Sequence, residues 1–198
     1  MNRIGIMGAP CTGKTTLARA LTVHLMDKHH KVTEYIDEYA RQFIWQYGIP
    51  TVADQYFFFD IQLQKEDAVS EKTEYVICDS PIYLAYIYLN LIVDYKNPKD
   101  KFYLNSLHRK LLPLMQDRYD YVFYLPSDGG IIDDGMRFHV TTDEQIKIDS
   151  KVKGFLDFYR IEYISLKGTL DVKIAEICRH LGFDDTSGNQ ADSKKSQK

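Results

Sequence analysis

Residues 8–15 read Gly-Ala-Pro-Cys-Thr-Gly-Lys-Thr and fit the spacing G-x-x-x-x-G-K-[ST] without a mismatch. These residue types describe a phosphate cradle. Gly8 and Gly13 let the backbone turn tightly, so that successive N–H groups point inward. Lys14 carries a compact positive charge to the β- and γ-phosphates, and the Thr15 hydroxyl suits a magnesium ion. A helix starting at this point adds the positive end of its dipole. The expected ligands are ATP and Mg2+, with ATP held by Gly8, Ala9, Pro10, Cys11, Thr12, Gly13, Lys14, Thr15 and Thr16. Lys14 is also the expected catalytic cation.

A second group lies at Asp79, which closes the apolar run EYVICD. An acid at the end of a strand beside a P-loop holds the metal, so Thr15 and Asp79 form the expected metal pair. The alternative for Asp79 is a cap on the turn before Pro81.

Phosphoryl transfer also needs an acceptor held in line and a group to take its proton. The run Asp37-Glu38-Tyr39-Ala40-Arg41 supplies both types of residue. Glu38 is the favoured base and Asp37 the second candidate. Arg41 suits an anionic group on the substrate. A helix N-terminus with an acidic first turn is the structural alternative. Tyr39 and Phe43 are singled out from 15 Tyr, 10 Phe and one Trp as ring contacts for a planar acceptor. The expected substrate-binding set is thus Asp37, Tyr39, Arg41 and Phe43.

Residues 127–139 (SDGGIIDDGMRFH) are rich in Gly and Asp and read as a lid. Arg137 would bring a guanidinium onto the γ-phosphate, with Asp133 and Asp134 as its partners in an open form. His139 belongs to the same loop. Gly168, in the turn Lys167-Gly168-Thr169, offers backbone to the base of ATP.

These groups need a frame that brings them together. Short β-rich runs at residues 3–7, 31–36, 74–79, 121–125 and 162–166 alternate with helical patterns. Leu17, Leu21 and Leu25 mark one helix face, and residues 54–72 are helical. Leu84, Ile87, Leu91 and Ile92 mark another helix, as do Leu104, Leu107, Leu111 and Leu114. Helices are further expected over 147–159 and 170–181, the last capped by Gly182. The expectation is an α/β fold: a parallel five-stranded sheet with helices on both faces. Residues 1–183 form a single P-loop domain, and the polar stretch 184–198 a disordered tail.

The 198 residues carry a formal net charge of -3, which argues against a nucleic-acid partner. Three cysteines without metal-like spacing argue against a disulfide frame or a zinc site, and the histidines show no metal spacing. With no spanning segment and no room for a signal peptide before the first strand, a cytoplasmic setting is expected. Monomer and homo-oligomer both stay open.

The combination of GAPCTGKTTLA, EYARQF, CDSP and DDGMR resembles small P-loop kinases, most closely the ribosylnicotinamide-kinase domain of the bifunctional bacterial NAD-biosynthesis regulators. The resemblance covers nearly the whole chain except the tail. It implies ATP-dependent phosphorylation of a nucleoside 5′-hydroxyl. Lys14 and Thr15 would serve ATP and magnesium, the segment 38–41 would meet the acceptor, and Arg137 would belong to the lid. No counterpart of the adenylyltransferase and DNA-binding domains of those regulators is expected within these 198 residues. Thymidylate-kinase-like enzymes share the layout, so a nucleoside monophosphate is a second acceptor. A modified base in DNA is a third, and a non-catalytic ATP-binding module a further alternative. Two other classes fit less well. A GTPase would carry Asn-Lys-x-Asp and a DxxG, whereas Asp79 is followed by Ser80, Pro81 and Ile82. A remodelling ATPase needs a helical lid domain for which little chain is left.

Overall fold

The computed structural model describes residues 1–127 and 141–183. Asp133, Asp134, Arg137 and His139, and the stretch 184–198, lie outside the described residues.

Five strands form one sheet: β1 (Asn2–Gly8), β2 (Thr33–Ile36), β3 (Tyr75–Cys78), β4 (Tyr121–Leu125) and β5 (Ile164–Ser165). Their order is β2-β3-β1-β4-β5, and every pairing is parallel. β1 lies at the centre, with Ile4 opposite Ile77 of β3 on one side and Tyr121 of β4 on the other. The strand expected over 162–166 keeps only two residues of ladder, as suits an edge strand paired on one side.

The helices are α1 (Lys14–His29), α2 (Tyr39–Tyr47), α3 (Val52–Asp67), α4 (Ile82–Ile92), α5 (Pro98–Leu111), α6 (Thr142–Phe158) and α7 (Leu170–His180). They divide between the two faces of the sheet as the alternating pattern requires. On one face, Ile4, Ile6, Ile77 and Phe123 meet Leu17, Leu21 and Leu25 of α1 and Ile174 and Ile177 of α7. On the other, Met7, Val76, Val122 and Tyr124 meet Phe59 of α3, Leu84 and Ile87 of α4, Leu107 of α5 and Leu156 of α6. Each fully buried leucine of α1 contributes about 2 kcal/mol by removal from water.

Local signals explain three of the helix boundaries. Thr51 and Asp54 form a capping box at the start of α3, so that helix begins two residues before the expected one. Thr141 and Glu144 do the same for α6, which starts five residues earlier than its apolar pattern shows. Gly182, with φ 81°, closes α7 by a Schellman turn: its N–H donates to Arg179 O at 3.1 Å, and Phe183 N donates to Cys178 O at 2.8 Å. The described residues contain no helix long and apolar enough to cross a membrane.

The core carries one buried ion cluster. Glu66, fully buried on α3, accepts from Arg118 Nε at 2.9 Å, Arg118 Nη2 at 2.7 Å and Tyr119 Oη at 2.8 Å. Burial pushes the Glu66 carboxyl up, and the Arg118 guanidinium opposes that rise. Tyr119 Oη in turn accepts from Ile82 N at 2.8 Å, which ties the cluster to the first turn of α4.

Candidate active site

A parallel sheet sends all its strand-to-helix loops out at one edge. The loops that leave β1, β2, β3, β4 and β5 hold residues 8–13, 37–38, 79–81, 126–127 and 166–169 respectively. These loops, drawn from positions 8 to 169, leave the sheet along one rim.

The P-loop has the backbone its sequence demands. A Cβ on Gly8 would lie 2.7 Å from Leu125 O and 2.8 Å from Thr12 Oγ1, so only glycine fits against β4. Gly13, with φ 85°, stands at the N-cap of α1 without a side-chain cap, leaving its first N–H groups directed at the loop. Cys11 also has positive φ, at 63°. Lys14 is 8% exposed, and its Nζ donates to Ala9 O at 2.7 Å. Thr12 Oγ1 donates to the same carbonyl at 2.9 Å.

Asp79 follows β3 directly, beside the P-loop strand, and its N–H still donates to Ile36 O at 3.1 Å. The carboxylate is 2% exposed. Its Oδ2 accepts from Tyr35 Oη at 3.0 Å, while its Oδ1 finds no hydrogen-bond partner among the described residues. Burial and the Asp79 charge push the Tyr35 phenol well up, so it stays a donor. A buried carboxylate oxygen with open lone pairs is the kind of acceptor that a hard cation takes. The alternative, a surface aspartate capping the turn before Pro81, does not match a residue that is 2% exposed, and α4, with Pro81 at its N-cap, has no side-chain cap.

The segment after β2 separates the two acidic candidates. Asp37 is engaged by Lys65 Nζ through both its carboxylate and its backbone O, the latter at 3.0 Å, and by Gln42 Nε2 at 2.8 Å. Glu38 is the N-cap residue of α2 yet makes no capping bond; it lines a cavity with Tyr39, Gln55, Phe58, Gln62 and Ser80. Arg41 turns toward the P-loop, its Nη2 donating to Thr15 Oγ1 at 3.2 Å. Tyr39 packs edge-on against Phe58 with centroids 5.4 Å apart, and Phe43 does so at 4.9 Å. Among the described residues the aromatic rings lining this cavity are those of Tyr39, Phe58 and Tyr88; Phe43, expected as a ring contact, packs on Phe58 and does not line it. Gly168 has φ 95°, and Thr169 after it caps α7.

Three further residues were not visible as site residues in the sequence. Gln145 of α6, 1% exposed, donates from Nε2 to Pro10 O at 2.8 Å and accepts from Ser127 Oγ at 2.7 Å. It clamps the P-loop to the exit of β4. Gln62, 5% exposed, accepts at Oε1 from Tyr39 N at 3.5 Å, and its Nε2 has no partner among the described residues. Lys65 fixes Asp37 as described. Each is a polar position on the inner face of a helix, a weak signal in a sequence whose helices carry many exposed polar residues.

The sequence model of the AAA domain family matches residues 3–173. The chain belongs to this family. The stretch of this AAA domain that matches contains the P-loop, Asp79, the segment 37–43 and Gly168. No curated protein has a significantly similar sequence. Among solved structures, a NadR protein in complex with NR superposes with a TM-score of 0.75 at 20% identity, over 92% of this chain and 52% of that one. A deoxyadenosine kinase from M. mycoides, with dCMP and dCDP bound, superposes with a TM-score of 0.63 at 13% identity, over 91% of this chain and 98% of that one. A thymidylate kinase from Candida albicans gives 0.57 at 17% identity, over 91% of each chain. The AAA domain thus has the fold of these P-loop kinases and spans about half the length of the NadR chain.

Proposed function

We propose that this chain is an ATP-dependent kinase that phosphorylates a hydroxyl group of a small nucleoside-like acceptor, of the nicotinamide riboside type. The observation that carries the reading is the placement of Glu38. It lines a cavity of about 20 Å³ with Tyr39, Phe58, Gln55 and Gln62, which would have to widen to take an acceptor, on the rim that also holds Lys14 and Asp79. Aromatic rings and buried amides suit a planar ring with polar edges. Gln62 Nε2 would donate to a carbonyl on that ring. The likeness in fold to a NadR protein in complex with NR supports the same acceptor class.

In this reading the acceptor hydroxyl oxygen forms a bond to the γ-phosphorus of ATP, the bond from that phosphorus to the β-phosphate oxygen breaks, and Glu38 takes the proton. Lys14 and the N–H groups of residues 8–13 would hold the phosphates, and Gly168 would meet the base of ATP. Magnesium, held by Thr15 and through Asp79, would neutralise charge on the β- and γ-phosphates. Arg41 would approach the transferred phosphate or an anionic group of the acceptor, and Arg137 would belong to the lid. A cytoplasmic setting and a single domain over 1–183 belong to the same reading.

The test is ATP consumption with magnesium, offering nicotinamide riboside, the common nucleosides and their monophosphates separately. Phosphorylation of a nucleoside is the expected result. Acceptance of monophosphates alone would replace this reading with a thymidylate-kinase-like one. Bound ATP with no accepted small molecule would overturn it and direct the search to nucleic acid.

A further inference from the structure

The histidines and cysteines carry no metal spacing in the sequence, yet the fold gathers three of them toward the C-terminal end of α1, the helix whose N-terminus carries Lys14. His24 and His29 sit on α1, and Cys178 sits on α7. One potential ligand atom from each lies within 4.8 Å of the others. The two imidazole centroids are 5.3 Å apart, and the His29 ring stacks on Phe183 at 4.2 Å with planes 22° apart. Cys178 is fully buried and the two histidines are half-buried.

We propose that His24, His29 and Cys178 form a binding site for a borderline transition-metal ion of the zinc type. The donor chemistry supports this: two imidazoles and one thiolate are ligands that Zn2+ and Co2+ favour over magnesium or calcium. The geometry is close to what a tetrahedral ion needs. Zinc bonds of about 2.0 Å to nitrogen and about 2.3 Å to sulfur place ligand atoms about 3.5 Å apart. The three donor atoms, within 4.8 Å of one another, would draw closer by side-chain rotation as the ion binds, with water as the fourth ligand. Phe183 holds the His29 ring from one side, so part of the ligand arrangement is set by packing before any ion binds.

The site joins two helices of the same sheet face. Leu21 and Leu25 of α1 already pack with Ile174 and Ile177 of α7. An ion at this point would pin the end of α1 to α7, and with it the turn that holds Gly168. Binding converts the Cys178 thiol to a thiolate and releases its proton to solvent, so affinity would fall as pH is lowered. The site is independent of the kinase reading, and its test has no activity readout.

The experiment is titration of the metal-free protein with Co2+ in the presence of magnesium and ATP, followed by absorption spectroscopy. The expected result is one equivalent of cobalt with a thiolate-to-cobalt charge-transfer band in the near ultraviolet. The band is lost in Cys178→Ser, survives in Cys11→Ala, and needs at least about tenfold more cobalt in His24→Gln. Zinc at a hundredfold excess over its Kd would raise the Tm of the wild type by at least about 5 °C. His24→Gln, a half-exposed position, checks the site if Cys178→Ser fails to fold. Absence of the band in the wild-type protein overturns the proposal, as does a band that persists in Cys178→Ser.

Discussion

Arg41 Nη2 donates to Thr15 Oγ1 at 3.2 Å, which joins the first turn of α2 to the P-loop hydroxyl proposed for magnesium. The hydroxyl oxygen has two lone pairs, but a guanidinium and a magnesium ion on the same oxygen repel each other. Arg41 would therefore leave Thr15 as Mg·ATP binds and become available to the phosphate or the acceptor. Arg41→Met is expected to lower kcat/KM for the acceptor about tenfold to a hundredfold, the effect of losing one charged hydrogen bond. Affinity for Mg·ATP should stay unchanged or rise. Calorimetry with a non-hydrolysable ATP analogue, set beside steady-state rates, checks both halves.

Asp37 and Glu38 differ in what they contact, and the difference separates structure from chemistry. Glu38→Gln should lower kcat by about 10²–10⁴ while leaving ATP affinity and Tm close to wild type, as removal of a general base does. Asp37→Asn removes the charge that meets Lys65 and Gln42. It should cost about 1 kcal/mol of stability, consistent with a partly exposed pair, and change kcat far less. Equal losses of kcat in both variants would reject the assignment of Glu38 as base.

Lys14 is buried against Ala9 O, so its charge is already aimed along the loop. Lys14→Ala should reduce turnover by about 10³ or more and weaken nucleotide binding. The sheet should stay intact, since the side chain supports a loop and not the core. Circular dichroism and a nucleotide-binding titration on the same sample test this. Unchanged turnover would reject the P-loop as the site of phosphate chemistry.

The buried Glu66–Arg118 pair makes a prediction about stability alone. Arg118→Met leaves the fully buried Glu66 carboxylate without its guanidinium and should destabilise the chain by about 3–5 kcal/mol. Adding Glu66→Gln to that variant should recover part of the loss, because the uncompensated charge is then gone. Urea unfolding of the two single variants and the double variant measures the coupling.

The sequence by itself determined the elements whose information is local. The run from Gly8 to Thr15 specified a phosphate loop because its glycines, lysine and threonine act through adjacent backbone. The β-rich runs at β1, β3 and β4 and the leucine spacing of α1 specified a parallel sheet covered on both faces, since burial on two sides requires continuous apolar strands. Gly182 was legible as a cap for the same reason: its positive φ is a property of one residue.

Tertiary structure decided what depends on separate segments meeting. Both Asp37 and Glu38 are acidic residues in one loop, and only the packing of α3 beside that loop decides that Asp37 meets Lys65 while Glu38 lines the cavity. Gln145 stands 135 residues from the Pro10 carbonyl that it meets, a distance over which no spacing rule operates. His24 and His29 are five apart, which is not a same-face interval on a helix, and their partner Cys178 arrives on α7. Side-chain convergence of this kind is set by the packing of helices onto the sheet, and no local pattern of residue types encodes it.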